Sequence, residues 1–356
     1  MEKYFMAALG GAEGLGNKSI SHLVEFFGSA KATWFADAAD LHKAGVRKNS
    51  LEAFIAFRCQ HPDAPDNLAA YCDRQRIGVC SINDDDYPPV LKEINDPPMS
   101  FYYRGNLAPV VQRIAVVGSR KNTRYGQSVA LELGEQLAAA GLTVVSGAAR
   151  GIDTFAHRGA LKSGRTVAVL GCGINFIYPR ENKKLLEQIA ESGVVMSEFH
   201  PQFPPNPGTF PARNRIIAGL SRGVIIVEAG HKSGALITST YAGDYGRDVF
   251  AIPGQIYAEK SEGCNELIRE GATLIKSAQD VLDEYDIKAT APPAKVVELD
   301  GITAKVFEII PSDGYITDDE ILMQIEELNL NELPNIILAL DMKNLIVDDA
   351  GRYKRR

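Results

Sequence analysis

Between residues 113 and 254 short apolar runs alternate with helical stretches, and the turns that follow the runs are rich in glycine and arginine. The runs cover residues 114–117, 143–146, 166–170, 194–197, 224–228 and 249–251. Strands that are apolar along their whole length must be covered on both faces, and helical connections between them make their neighbours parallel. The pattern therefore predicts an α/β fold with a Rossmann-like, doubly wound, mostly parallel sheet. Ligands of such sheets bind beyond the carboxyl ends of the strands.

The turns at those ends carry the chemistry. The first is Gly118-Ser119-Arg120 with Lys121 and Arg124, and the second runs from Ser146 and Gly147 through Arg150 to Gly151-Ile152-Asp153. Gly171-Cys172-Gly173 with Tyr178-Pro179-Arg180-Glu181-Asn182 follows, then Phe210-Pro211-Ala212-Arg213-Asn214-Arg215. A glycine turn opening a helix leaves backbone N–H groups unpaired and so favours anions. Arginine repeated from turn to turn extends one phosphate site into a track for several. That pattern points to a nucleic-acid strand rather than to one nucleotide.

Competing fingerprints fail on particular residues. A dinucleotide site requires GxGxxG and an acid about 20 residues later; here only Gly118 is in place, and the second strand ends in Ser146-Gly147. Residues 11–19 lack the adjacent Gly-Lys of a phosphate-binding Walker loop, because Asn17 intervenes. Asp153 is expected to cap its helix, and His157 to pack, with nothing nearby to complete a triad. Glu228 ends a strand and has the chemistry of a general acid or base, but no partner is evident. No GxSxG elbow or carboxylate pair is present, so no catalytic residue is expected. The five cysteines show no CxxC spacing and the six histidines are scattered, so neither a metal nor a cofactor is expected, and the thiols are read as buried.

The net charge of −7 conceals an asymmetry. Residues 113–165 hold eight Lys/Arg against three acids, whereas residues 286–356 hold eight against fourteen. A basic centre beside an acidic tail suits a polyanion at the centre. No apolar run approaches the roughly 20 residues of a membrane helix. The start, Met1-Glu2-Lys3-Tyr4-Phe5, lacks a signal pattern, so a cytoplasmic protein without membrane contact is expected.

Four segments are expected. Residues 1–80 form a helical module, in which Gly14-Leu15-Gly16 precedes the amphipathic run Ile20, Leu23, Val24, Phe26, Phe27. This is read either as a helix-hairpin-helix or sterile-alpha-motif-like unit offering amides to DNA, or as a plain glycine-capped turn. Residues 81–288 form the sheet core, and the Pro-Pro stretch within 289–296 a linker. Residues 297–356 form a winged-helix-like domain, with helices at 302–310, 318–328 and 333–342 and a hairpin at 344–347 and 351–353.

In their order these motifs resemble the DprA/Smf family, the DNA-processing proteins of bacterial natural transformation. The resemblance runs through Val117-Gly118-Ser119-Arg120, Ser146-Gly147, Gly151-Ile152-Asp153, Ala156-His157 and Ala168 to Gly173. It continues through Tyr178-Pro179-Arg180-Glu181-Asn182, Ser197-Glu198, Phe210-Pro211, Arg213 to Ser221, Ser233-Gly234 and Pro253-Gly254. The flanking modules match less closely.

The resemblance implies sequence-independent binding of single-stranded DNA, protection of incoming strands, and loading of the recombinase RecA past single-strand-binding protein. It also implies a homodimer. Carried over by motif, Arg120 and Arg180 are DNA contacts, and Arg213 and Arg215 belong to the same basic pocket. Gly118, Ser119, Lys121, Gly147, Arg150 and Asn182 complete the candidate DNA site. Ile268, Leu274 and Ile275 fall where the dimer contact would lie; as plain sequence they equally read as a buried helix and strand. The alternative function on such a sheet is a nucleotide-processing enzyme, such as a lysine-decarboxylase-like phosphoribohydrolase. Its Pro-Gly-Gly-x-Gly-Thr loop is missing from Glu228-Ala229-Gly230-His231-Lys232-Ser233-Gly234. The candidate recognition helix near residues 334–341 contains no lysine or arginine, so reading of a DNA major groove by it is not expected.

Overall fold

The computed structural model describes residues 1–12, 14–107, 112–287, 299, 301–312, 314–325, 327–342, 345–349 and 351–355. The chain divides into two compact units, Met1–Pro292 and Pro293–Arg356. The expected linker at 289–296 lies outside the described residues.

Among the described residues nine strands form the sheet of the larger unit: β1 (Gly78–Ser81), β2 (Ser100–Gly105), β3 (Arg113–Val117), β4 (Thr143–Ser146), β5 (Thr166–Val169), β6 (Val194–Ser197), β7 (Gly223–Ile226), β8 (Asp248–Ala251) and β9 (Thr273–Leu274). Their spatial order is β1-β2-β6-β5-β4-β3-β7-β8-β9. The pairs from β6 to β9 are parallel, and β1 and β2 close one edge antiparallel. The six expected strands are present within one or two residues of their expected ends. β1, whose Gly78-Val79-Cys80-Ser81 is not a uniformly apolar run, and the two-residue β9, too short to show a period, were not foreseen.

Alternation along each strand explains the two covered faces. In β3, Ala115 and Val117 join one buried cluster while Ile114 and Val116 join the other. In β7, Val224 and Ile226 face the first cluster and Ile225 the second. With a period of two, both sets are apolar only because helices cover both faces. After β1 and β2 the chain enters the parallel part at β3, winds outward through β4, β5 and β6, then returns beside β3 to begin β7. The gap between β3 and β7 is the topological switch point, where helices leave in opposite directions and a crevice opens.

Glycines set how closely the helices on one face approach. A Cβ at Gly159 would lie 2.0 Å from the Leu131 carbonyl oxygen, and one at Gly134 2.3 Å from that of Ala156. The helices Arg124–Ala139 and Ile152–Ser163 thus meet backbone to backbone. Gly159→Ala is expected to cost about 1–3 kcal/mol by forcing them apart; equilibrium urea unfolding measures it.

The N-terminal helices close over their own core, with Trp34, Leu51, Phe54, Ile20 and Leu23 at its centre. Gly28, at φ +82°, ends the helix Asn17–Phe27 in the left-handed conformation that glycine adopts without strain. The Gly14–Gly16 turn faces the sheet: Asn17 donates from Nδ2 to Glu198 Oε1 at 2.8 Å, and its Oδ1 accepts the Met99 amide at 3.2 Å. Cys72, Cys80, Cys172 and Cys264 are buried, whereas Cys59 is exposed.

The smaller unit contains the helices Gly301–Ile309, Asp318–Gln324 and Leu333–Met342 with β10 (Ile316–Thr317), β11 (Ile346–Asp348) and β12 (Arg352–Arg355). β12 lies between β10 and β11, antiparallel to both. A capping box between Thr317 and Glu320 starts the second helix. Val306, Ile321, Leu333, Leu340, Ile346 and Tyr353 fill its separate core. No helix among the described residues is long and apolar enough to cross a membrane.

Candidate nucleic-acid interface

At the switch point the carboxyl ends of the strands border a cavity of about 430 Å³. Gly118, Ser119, Arg120 and Lys121 form one wall, and Phe210, Pro211, Arg213 and Asn214 another. Ser233, Gly234, Ala235 and Lys260 close the far side. The floor is set by close contacts. A Cβ at Gly118 would lie 2.7 Å from the Ile152 side chain and 2.9 Å from the Glu228 carbonyl oxygen. Only glycine lets the first turn descend so far.

Arg120 is exposed, and its guanidinium lies 5.3 Å from the centre of the Phe210 ring. The Phe210 ring in turn lies 5.1 Å from that of Tyr178, tilted by 41°. Tyr178 is 42% exposed. The lip is therefore a cation laid on an aromatic pair, suited to hold a phosphate and to stack a base. Phe210 and Tyr178 were not among the expected site residues, because their segments were weighed for charge; the aromatic residue two or three positions before Arg180 and Arg213 was the available signal.

Arg213 has a different task. It is buried, and its Nη1 donates to the carbonyl oxygens of Gly147, at 2.8 Å, and Val169. It ties the end of β5 to the turn after β4. A Cβ at Gly147 would lie 2.4 Å from this guanidinium. Beside it, Asp153 Oδ2 accepts the amides of Gly147 at 3.1 Å and Ala149 at 3.3 Å. Asp153 thus lies within the first turn of its helix and holds the preceding loop, whereas Gly151 occupies the cap. Burial pulls the Arg213 pKa down to about 10, which leaves it protonated at neutral pH. Burial also pushes the Asp153 carboxyl upward, opposed by Arg213 and the two amides. Asn182 completes the scaffold, donating to the Ala148 carbonyl at 3.0 Å and to Thr154 Oγ1 at 2.8 Å. The loop carries Ala148 at φ +51°, a conformation that needs such fastening in a residue other than glycine.

Arg213 and Arg215 do not share a pocket. Residues two positions apart on a helix are separated by about 200° around its axis, so the pair faces opposite sides of Thr209–Leu220. Arg215 lines a second cavity, of about 820 Å³, between the sheet and the glycine turn of the N-terminal helices. There it pairs with Glu198 at 2.5 Å and Asp96 at 3.3 Å. Arg150 turns to Glu181 in an exposed ion pair and does not line the first cavity. Arg180 is exposed two residues beyond Tyr178, on the same segment as the lip. His157 is buried, with Nδ1 2.7 Å from Thr166 Oγ1, and burial pulls its pKa to about 3. Glu228 is buried beside the first turn, and both its carboxylate oxygens accept from Thr123.

Of the three residues expected at a subunit contact, Leu274 is 46% exposed on the edge strand β9, and Ile275 is fully buried. Ile268 is partly buried against the core.

Residues 78–286 match the family model described as DNA recombination-mediator protein A. The DNA processing protein DprA of Streptococcus pneumoniae is 48% identical over 214 residues, covering 60% of this chain and 76% of that protein. That of Bacillus subtilis is 40% identical over 248 residues, 69% of this chain and 81% of the relative. The X-ray structure of the S. pneumoniae protein superposes with a TM-score of 0.71 at 40% identity, over 80% of this chain and 98% of that one. DNA processing protein A of Helicobacter pylori, whose structure concerns its single-stranded DNA binding mode, gives a TM-score of 0.54 at 32% identity. It covers 59% of this chain and 97% of that one.

Proposed function

The chain belongs to the DNA recombination-mediator protein A family, and from that premise we propose that the cavity at the β3–β7 switch point holds single-stranded DNA without regard to sequence. One observation carries the reading: Arg120 lies over Phe210 at the lip of a cavity that Lys121, Arg213 and Lys260 also line. Cations that follow a backbone, combined with ring faces for bases, are what a sequence-tolerant strand site requires. A duplex keeps its bases stacked inside and leaves the rings unused. Arg120, Lys121 and Arg180 are the proposed phosphate contacts, with Gly118 and Ser119 supplying the close backbone approach. Gly147, Asn182 and Arg213 hold the loops, and Arg150 and Arg215 act through their ion pairs.

We propose binding without turnover. The Glu228 carboxylate sits behind the first turn with its oxygens engaged by Thr123, which supports a structural role over that of a general base. Incubation with nucleoside monophosphates is expected to release no base, whereas release would favour the phosphoribohydrolase reading. The proposed role in the cell is that of a cytoplasmic mediator in transformation, protecting an incoming strand and passing it to RecA past single-strand-binding protein. A homodimer is proposed through the β9 edge, where Leu274 is the accessible residue of the three expected.

The smaller unit is proposed to be a winged-helix-like module that contacts protein rather than duplex DNA, in keeping with its excess of acids. Removal of residues 293–356 is expected to leave single-strand affinity within about twofold, since the removed charge is net negative. Fluorescence anisotropy with an oligothymidylate measures this, and loss of binding in a folded core would assign the strand site in part to the smaller unit.

A further inference from the structure

Glu228 is a carboxylate placed beside a site for anions, which simple electrostatics disfavours, and three contacts explain why it is there. Its main-chain oxygen accepts the Ser119 amide at 2.7 Å, which extends the β3–β7 pairing one step past the strands. Its Oε2 accepts the Thr123 amide at 2.9 Å, and its Oε1 accepts the Thr123 hydroxyl. Thr123 Oγ1 in turn accepts the Gly126 amide at 3.1 Å, capping the helix Arg124–Ala139. One buried residue therefore holds both ends of the five-residue turn that bears Arg120 and Lys121. Gly126 makes room for it, since a Cβ there would lie 2.3 Å from the carboxylate carbon.

We propose that Glu228 is the positioning residue of the phosphate-binding turn, setting where Arg120 and Lys121 stand. This rests on the reading of the cavity as a strand site. Glu228 does not line the cavity, so it acts through Thr123. Ser119 Oγ accepts the Lys121 amide at 3.1 Å, and the Ser119 carbonyl accepts that of Ile152 at 3.2 Å, both at the far end of the turn. The Thr123 carbonyl accepts the Gln127 amide at 3.0 Å and Asn122 Nδ2 at 2.7 Å, bonds within the turn and its own helix, whereas the Glu228 carboxylate ties Thr123 to the end of β7.

The proposal predicts the sign of an effect. Removing a negative charge near a phosphate would tighten binding if only charge mattered, whereas removing an anchor loosens it. Glu228→Met, of similar size and without an acceptor, is expected to weaken oligothymidylate binding about tenfold, the scale of a hydrogen bond to a charged group. Glu228→Gln, which keeps one acceptor, falls between Met and wild type. Thr123→Val, which removes the hydroxyl's bond to Glu228 together with the Gly126 cap, weakens binding more than Thr123→Ser does, and its effect on top of Glu228→Met is smaller than on wild type because the two variants share the hydroxyl–carboxylate bond.

Amide exchange followed by NMR supplies a readout that does not depend on DNA. In Glu228→Met the Thr123 amide is expected to lose protection, while the Ser119 amide, bonded to the main chain of residue 228, keeps it. Tighter binding by either Glu228 variant, or unchanged Thr123 protection in Glu228→Met, overturns the proposal. If wild type binds no single strand, the strand-site reading fails, and the exchange result still decides whether Glu228 positions the turn.

Discussion

Arg213→Met is expected to destabilise the larger unit by about 3–5 kcal/mol, the usual cost of taking one partner from a buried polar network. Its guanidinium satisfies the carbonyls of Gly147 and Val169 and lies in the field of the buried Asp153. Methionine fills much of the volume but takes a donor from two carbonyls and leaves the Asp153 carboxylate with the Gly147 and Ala149 amides alone. In a unit of this size the thermal midpoint should fall by roughly 10 °C. Differential scanning calorimetry measures it, and a shift below about 2 °C would mean that Arg213 is not holding the loops together. Strand affinity, corrected for the folded fraction, should change less than in the variant considered next.

Arg120→Ala is expected to reverse that pattern. The side chain is exposed and its ring partner stays in place, so stability should change by less than about 0.5 kcal/mol. Affinity for an oligothymidylate should fall about 10- to 100-fold, through loss of one phosphate contact and of the cation on the Phe210 ring. The slope of log K against log salt should lessen by about 0.7, the value of one phosphate contact on a single strand. An unchanged slope would mean that Arg120 touches no phosphate. Lys in its place should restore the slope but not the whole affinity, because an ammonium lacks the planar face of the guanidinium.

The contrast between these two arginines marks where the sequence was readable. In the sequence both follow glycine or proline after an apolar strand, and both were expected to meet DNA. What separates them is the register of one helix. Arg213 points under the loops, Arg215 points toward Glu198 on the other side, and Arg120 stands at the lip. A linear pattern of apolar residues reports which stretches are strands, because burial on both faces demands it at every position. It does not report which way a lone arginine turns, since that depends on carbonyls more than 40 residues away such as Val169. Glu228 shows the same limit: its partner Thr123 lies 105 residues earlier in the chain. The aromatic lip was hidden for a related reason, because Tyr178 and Phe210 meet only when β5 and β6 lie side by side.

The central claim is that the switch-point cavity takes a single strand, and competition between single-stranded and duplex DNA of equal length across a salt series tests it most directly. The account predicts that unlabelled single strand displaces a labelled oligothymidylate at every salt concentration, whereas duplex competes at least tenfold less well, because its paired bases cannot reach the Phe210 and Tyr178 rings. Both should weaken as salt rises, with the preference for single strand persisting where the charge contribution has faded. Equal competition by duplex, with the preference vanishing as salt rises, would mean that the cavity responds to phosphate charge alone and would contradict the account.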